Sequence, residues 1–227
     1  MTRAIVIAEG ASESASPHEP KRGPAHEPTR SRSASANGTR AANSLGPADW
    51  LRVAQSVLIH KSVDAVRIDV LAKELKVTRG SFYWHFKDRD DLLQRLLIRW
   101  RDEATEQVIS RFERRGAEPR ELIHELFSLP FRGRAAHEAA SIELAIRAWA
   151  RRDQMARQAL DTVDAQRLSY ISQCLSSIST LTIAESRNRA FVLYGYLVAE
   201  SLLQHHGSDT QRAERRQWLE AAVLGGV

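Results

Sequence analysis

The chain holds one cysteine, Cys174, in 227 residues. That excludes an internal disulfide framework and a cysteine-rich zinc site, and it suits a reducing cytoplasm. No uncharged apolar run approaches the roughly 20 residues that a membrane-spanning helix needs. A soluble protein without a membrane span is therefore expected. Proline and glycine nearly disappear after Pro47: only Pro119, Pro130 and seven glycines remain among the last 180 residues, about 5% against an average near 12%. Catalytic signatures are missing too. There is no Gly-x-Ser-x-Gly, no phosphate-binding Walker loop, no Gly-x-Gly-x-x-Gly and no His-Glu-x-x-His. His124-Glu125 and His137-Glu138 begin the last of these, but Ser128 and Ser141 stand where the second histidine is required. No enzyme, no metal site and no cofactor is expected. Glu138 and Glu143 read as ordinary helix charges unless they prove buried.

Apolar residues are missing from one stretch altogether. Between Ala8 and Ser44 there is no Val, Ile, Leu, Met or aromatic residue, while Pro17, Pro20, Pro24 and Pro28 fall within it. Such a segment cannot bury enough surface to offset its ordering entropy, so residues 1–44 are expected to be a disordered tail. The remainder of the chain is rich in Ala, Leu, Arg, Glu and Gln, which lose little rotamer freedom in a helix. The only alternating apolar triplet, Val66, Ile68 and Val70, has no partner strand nearby and does not predict a sheet. An all-α protein is expected.

Pro47 opens a first helix that carries Trp50, Ala54, Val57 and Leu58 on one stripe. A second helix is expected over about 68–75, and a third over 79–85 with Thr78 as its N-cap. Asp88 caps a fourth that runs towards Val108. Gly116 and Pro119 mark a break, and further helices are expected near 120–129, 136–150, 154–178, 184–206 and 210–223. The formal net charge is +5, with 33 basic against 28 acidic residues, which favours polyanionic partners only weakly.

The most informative stretch is Val77-Thr-Arg-Gly-Ser-Phe-Tyr-Trp-His-Phe86. On a helical wheel Arg79, Gly80, Tyr83 and Trp84 share one arc, and Phe82 and Phe86 lie a turn apart on the neighbouring face. One side is aromatic core. The other offers a cation, a position without a side chain, a phenol and an indole. A helix lying in the major groove needs such parts: a bidentate donor for guanine, room for close approach, and phosphate donors that set register. A short helix just before it completes a helix-turn-helix layout. Spacing alone leaves open a plain packing unit.

Three segments together resemble the DNA-binding domain of the TetR family of one-component transcriptional regulators. They are Ile68-Asp-Val-Leu-Ala-Lys-Glu-Leu75, then Val77 to Phe86 with its Tyr-Trp-His-Phe tetrad, then Lys87-Asp-Arg-Asp-Asp-Leu-Leu93. The chain departs from the family pattern at Lys76, where a turn glycine is usual, at Arg67, where a capping Thr or Ser is common, and at Ser62, which replaces a frequent glycine. The resemblance implies that Thr78 and Tyr83 contact phosphates and that His85 and Lys87 sit near the DNA backbone. Arg79, Gly80 and Trp84 would face bases, with Ser81 alongside and Arg67 adding a cation near the backbone.

Farther on, Ala190 to Leu203 is apolar nearly all round, and Arg187, Arg189 and Glu200 make it too short to cross a bilayer. Two-sided burial of this kind suggests a partner subunit, and Trp218, Leu219 and Ala222 form a matching strip. The resemblance implies a homodimer through the last two helices, with Tyr196, Leu203, Trp218, Leu219 and Ala222 at the interface. Its twofold symmetry would match a near-palindromic operator in double-stranded DNA. It also implies an effector cavity, for which the candidate lining residues are Phe127, Phe131, Ile142, Ile146, Trp149, Tyr170, Cys174 and Phe191. A mainly apolar pocket favours hydrophobic or aromatic small molecules. Cys174 reads as packing rather than as a redox sensor.

The expected organisation is thus a tail at 1–44, a three-helix helix-turn-helix DNA-binding domain at 45–93 and a helical effector-binding and dimerisation domain at 94–227. The expected function is a cytoplasmic, ligand-released homodimeric repressor. The alternative is a helical interaction and dimerisation protein that no longer binds a specific operator.

Overall fold

The computed structural model describes residues 45–131, 133–178, 181–203 and 206–225. The tail expected at 1–44 lies outside the described residues. Ten α-helices account for most of what is described: α1 (Pro47–His60), α2 (Ile68–Glu74), α3 (Arg79–Phe82), α4 (Arg89–Arg101), α5 (Gln107–Arg115), α6 (Pro119–Ser128), α7 (Arg134–Ala150), α8 (Gln154–Ile178), α9 (Ile183–Leu202) and α10 (Asp209–Leu224). No strand occurs among the described residues, so the Val66–Val70 alternation is not sheet. None of these helices is long and apolar enough to cross a membrane.

The helix ends follow from local chemistry. Pro47 occupies the first turn of α1, where its missing N–H is no loss, and the Asp49 carboxylate accepts from the Gly46 N–H. The Asp88 carboxylate accepts from the Asp91 N–H at 2.9 Å and starts α4. Thr182 with Glu185, and Ser208 with Gln211, close reciprocal capping boxes on α9 and α10. Gly116, at φ 58°, ends α5 in the left-handed region, and Pro119 restarts the chain as α6.

Lys76 is the one described non-glycine residue with positive φ, at 57°. Its N–H bonds the Lys73 carbonyl, and the Val77 N–H reaches back to Ala72. This is the closure of a helix end that normally uses glycine, and a side chain there costs about 1–2 kcal/mol. The turn between α2 and α3 therefore keeps its geometry without the glycine. Arg67, in turn, supplies no side-chain cap to α2, and its guanidinium pairs with Asp69 at 2.8 Å.

Two departures from the sequence expectation concern helix continuity. The third helix is regular only over Arg79–Phe82, and Tyr83 to His85 continue as turn. Tyr83 and His85 donate to carbonyls three residues back, which tightens the chain so that Phe82 and Phe86 both reach the core. The fourth helix does not run evenly past Arg101. Residues Asp102–Glu106 form a π turn before α5 begins.

Packing divides into two clusters. Trp50, Leu58, Leu71, Phe82, Phe86, Leu92, Leu96 and Trp100 from α1–α4 share a core with Ile142, Ile146 and Trp149 of α7 and with Ala156, Leu160 and Val163 of α8. The second cluster joins α5, α6, the later part of α8, α9 and α10 around Phe112, Ile123, Phe127, Leu175 and Leu193. The boundary expected at residue 93 falls inside α4, whose core stripe spans it. Arg89 also ties the start of α4 to the chain before α2, donating to the Val66 carbonyl at 2.7 Å and the Val63 carbonyl at 2.6 Å.

Candidate functional site

The first site is the outer face of α3 and the turn after it. Phe82 is fully buried, with edge-on rings from Trp50 and Tyr83 and a stacked Phe86 at 5.2 Å. That anchor leaves the intervening side chains no inward direction. Tyr83 is 61% exposed and Trp84 86% exposed. Thr78, Arg79, Gly80 and Lys87 are exposed, while Ser81 and His85 are half-buried. The Thr78 side chain makes no cap bond to α3, so its hydroxyl has no backbone N–H of the helix to satisfy. A Cβ on Gly80 would meet only Thr78 Oγ1 at 3.6 Å. The glycine is thus not demanded by internal packing, and its bare backbone faces outward. An exposed indole beside a cation and a phenol is a surface built for contact, since a large apolar ring left in water costs free energy.

The second site is a cavity of about 400 Å³ between α5, α7, α8 and α9. Its wall is mostly apolar, with Val108, Phe112, Leu126, Leu129, Ile171 and Leu197 prominent, and alanines of the first turns of α7 line one side. One end is polar. There Arg167 of α8 donates to Glu143 Oε2 at 2.8 Å, to the Tyr194 hydroxyl at 3.1 Å, to Thr105 Oγ1 at 3.0 Å and to the Ala104 carbonyl at 3.1 Å. Behind it Arg147 bonds Glu143, Asp164 and the Tyr194 hydroxyl, and Tyr194 donates to Asp164 at 2.6 Å. Burial disfavours the charge of both arginines, but carboxylate partners outweigh it and hold both above the ordinary guanidinium range. Burial pushes the Tyr194 phenol up to about 12, so it stays protonated and able to donate.

The sequence-chosen pocket residues fare unevenly. Tyr170 lines the cavity. Phe127 is fully buried in the second cluster, beside Tyr196 and behind the wall. Cys174 is buried and free in the same cluster, its thiol pushed up by burial. Ile142, Ile146 and Trp149 belong to the first cluster and brace α7 against α1–α4 instead. Phe191 points outward and is exposed, because helical spacing from the buried Ala190, Leu193 and Tyr194 turns it to the other face. The Phe131 side chain lies outside the described residues. Glu138 is the exposed helix charge expected of it, whereas Glu143 is only 17% exposed and central to the polar end. Arg167, Thr105 and Tyr194 do not stand out in the sequence. Tyr194 does lie on an apolar stripe, and that is the available signal.

A third surface lies on α9 and α10. Phe191, Val192, Leu202, Leu203 and Trp218 are exposed there, and Ala222 is exposed with them. Tyr196 and Leu219 are partly buried against the second cluster. Glu200, buried, accepts from Arg212 at 3.2 Å and Arg215 at 3.0 Å, which ties the two helices into one slab.

Residues 51–96 match the family model for bacterial regulatory proteins of the tetR family. No curated protein matches the chain. Among solved structures, a Rhodococcus sp. protein assigned to the TetR family of transcriptional regulators superposes with a TM-score of 0.62 at 19% identity, over 79% of this chain and 98% of its own. A transcriptional regulator assigned in Saccharomonospora viridis, solved with choline, gives 0.63 at 18%, over 79% and 96%. The transcriptional regulator FadR of Bacillus subtilis, solved with stearoyl-CoA, gives 0.57 at 16%, over 79% and 98%. At such identities the agreement is one of fold.

Proposed function

We propose that this chain, which carries a TetR-family helix-turn-helix segment at residues 51–96 on the fold of TetR-family regulators, is a homodimeric, sequence-specific DNA-binding repressor released by a small molecule. The observation that carries the reading is the outward set Arg79, Gly80, Tyr83 and Trp84, held rigid by the buried Phe82 and Phe86. In the major groove Arg79 is the candidate for guanine recognition, Trp84 packs over sugar and base edges, and Thr78, Tyr83, His85 and Lys87 meet phosphates. Arg67 approaches the backbone only if it gives up part of its bond to Asp69. The exposed strip on α9 and α10, which includes Leu203, Trp218 and Ala222, is the candidate dimer face, and twofold pairing would present two α3 helices to one operator.

The test is retention of genomic DNA fragments, including the region upstream of the chain's own gene, on immobilised protein. Fragments held at roughly 150–200 mM salt by the native chain should be lost with Arg79→Ala, which removes about 1–3 kcal/mol at one base position. Tyr83→Phe should weaken every fragment alike. If neither substitution changes the retained pool, the assignment of this face is wrong. Uniform weak binding that vanishes with salt would favour the interaction-protein reading.

The effector would act from the cavity through Arg167. This side chain touches the cavity, Glu143 and the π turn at once, and the π turn joins α5 to α4, whose stripe Leu92, Leu93, Leu96 and Leu97 is core to the helix-turn-helix unit. π turns are rare and cluster at functional positions. A ligand that changes Arg167's bonds would alter the stability of that turn, and with it the seating of α4. Arg167→Met should therefore raise amide exchange at residues 102–107 while the amides of α8 stay protected. Unchanged protection at 102–107 would remove Arg167 from the route.

A further inference from the structure

We infer that the cavity selects a neutral ligand, an apolar body with an uncharged hydrogen-bonding head, and rejects carboxylates and ammonium ions. The inference rests on the effector-cavity reading and deepens it. It follows from how the polar end is already spent. Arg147 and Arg167 bring two positive charges, Glu143 and Asp164 two negative ones, and the formal sum is zero. Arg147 and Arg167 satisfy both carboxylates, and the Tyr194 hydroxyl accepts from both guanidinium groups while donating to Asp164. Arg167 uses four of its five N–H groups on Glu143, Tyr194, Thr105 and Ala104.

A carboxylate arriving here would have to displace Glu143 from Arg167. The displaced Glu143, largely out of solvent, would then be a charge with fewer partners. An ammonium arriving here would compete with guanidinium groups for the same two carboxylates. Either exchange desolvates a charge without supplying a new counter-charge, which is the costly case. A hydroxyl, ether or carbonyl needs only a spare lone pair or the remaining Arg167 N–H, so it can engage Arg167 and shift its bonds without breaking the pairing of the charges. Most of the remaining wall is apolar, with Val108, Phe112, Leu126, Leu129, Ile171 and Leu197 prominent.

The other ionisable groups on the cavity are Glu103, Arg111, His137 and Glu200. Glu103 pairs with Arg99 at 2.8 Å, and Glu200 holds Arg212 and Arg215. Glu103, Arg111 and His137 are exposed at the mouth, where solvent screens them.

The experiment uses the full chain and Nile red, a neutral apolar dye, as reporter of the cavity. Three competitors share a near-identical alkyl tail and differ in the head: 1-decanol, decanoate and decyltrimethylammonium, each below its micellar range. Decanol should displace the dye, and the two ions should be weaker by roughly tenfold or more. Substitution then converts the preference. Glu143→Gln removes one negative charge and should bring decanoate to parity with decanol or better, with the ammonium ion still excluded. Arg167→Met removes one positive charge and should favour the ammonium ion. Decanoate or decyltrimethylammonium matching decanol on the native chain overturns the inference. So does a native decanoate preference that disappears in Arg111→Ala, since the mouth would then set the class. Because Glu143→Gln is isosteric and the native series stands alone, a variant that fails to fold does not remove the test. Failure of Nile red to bind, or displacement by no competitor, overturns the cavity reading itself and is distinct from the charge result.

Discussion

Operator affinity should fall by about 10³–10⁵-fold when salt is raised from roughly 50 to 200 mM, the loss expected when six to ten phosphates are neutralised. Exposed cations on the helix-turn-helix unit make that count reasonable. Lys73, Lys76, Arg79 and Lys87 are exposed, and Arg67 adds a fifth that is partly occupied by Asp69. Three to five cations per protomer, doubled by a dimer, reach six to ten. The unit as a whole is close to neutral, because Asp49, Asp64, Asp69, Glu74, Asp88 and Asp90 offset most of its basic residues. The slope therefore comes from where the cations stand, not from bulk charge. Fluorescence anisotropy of an operator fragment across salt concentrations measures it directly. Lys87→Ala should reduce the slope by about 1 per protomer, while Tyr83→Phe, which removes a neutral donor, should weaken binding and leave the slope alone. A slope near zero would contradict DNA binding by this face.

Phe82→Ala should destabilise the chain by about 3–5 kcal/mol, the usual cost of deleting a buried aromatic ring. Phe82 is fully buried, stacks on Phe86 at 5.2 Å and receives Trp50 edge-on at 5.3 Å. Its loss opens a cavity directly under α3. The helix has only one regular turn, so it cannot hold its shape without tertiary support. Denaturant titration should show the destabilisation, and operator binding should fall more than Arg79→Ala makes it fall, since every contact of the face depends on the anchor. A change below about 1 kcal/mol would mean that the ring pair does not hold α3 in place.

Much of the fold is legible in the sequence because its helices announce their ends. Pro47, Asp88, Gly116 and Pro119 each terminate or start a helix for reasons of backbone chemistry that need no tertiary contact, and α8 spans residues 154–178 as the sequence pattern predicts. The alternation of buried Phe82 and Phe86 with outward Tyr83 and Trp84 is legible for the same reason, since helical spacing assigns faces. Lys76 entering the left-handed region is foreseeable from its place in the turn.

The cavity is not legible in this way. Aromatic residues marked as its lining go elsewhere: Trp149 braces the helix-turn-helix unit, and Phe191 faces outward. Helical periodicity says which side of a helix is apolar, but not which neighbour that side meets, nor whether the meeting leaves a space. Glu143 reads as a surface charge because nothing local distinguishes it from Glu138. Arg147 is its neighbour one turn along α7, but only the approach of α8 and α9 adds Arg167 and Tyr194 and takes Glu143 largely out of solvent. The π turn at Asp102–Glu106 is likewise set by what packs around it. The Arg167 bonds to Ala104 and Thr105 come from a residue more than sixty positions away. Sequence alone determined most helix ends, the Asp88 cap and the outward face of α3, because those depend on interactions within a few residues; Thr78, expected to cap α3, makes no cap bond. The cavity, its neutral polar end and its link to α4 were decided by tertiary structure, because each requires charges and walls from separate helices to meet.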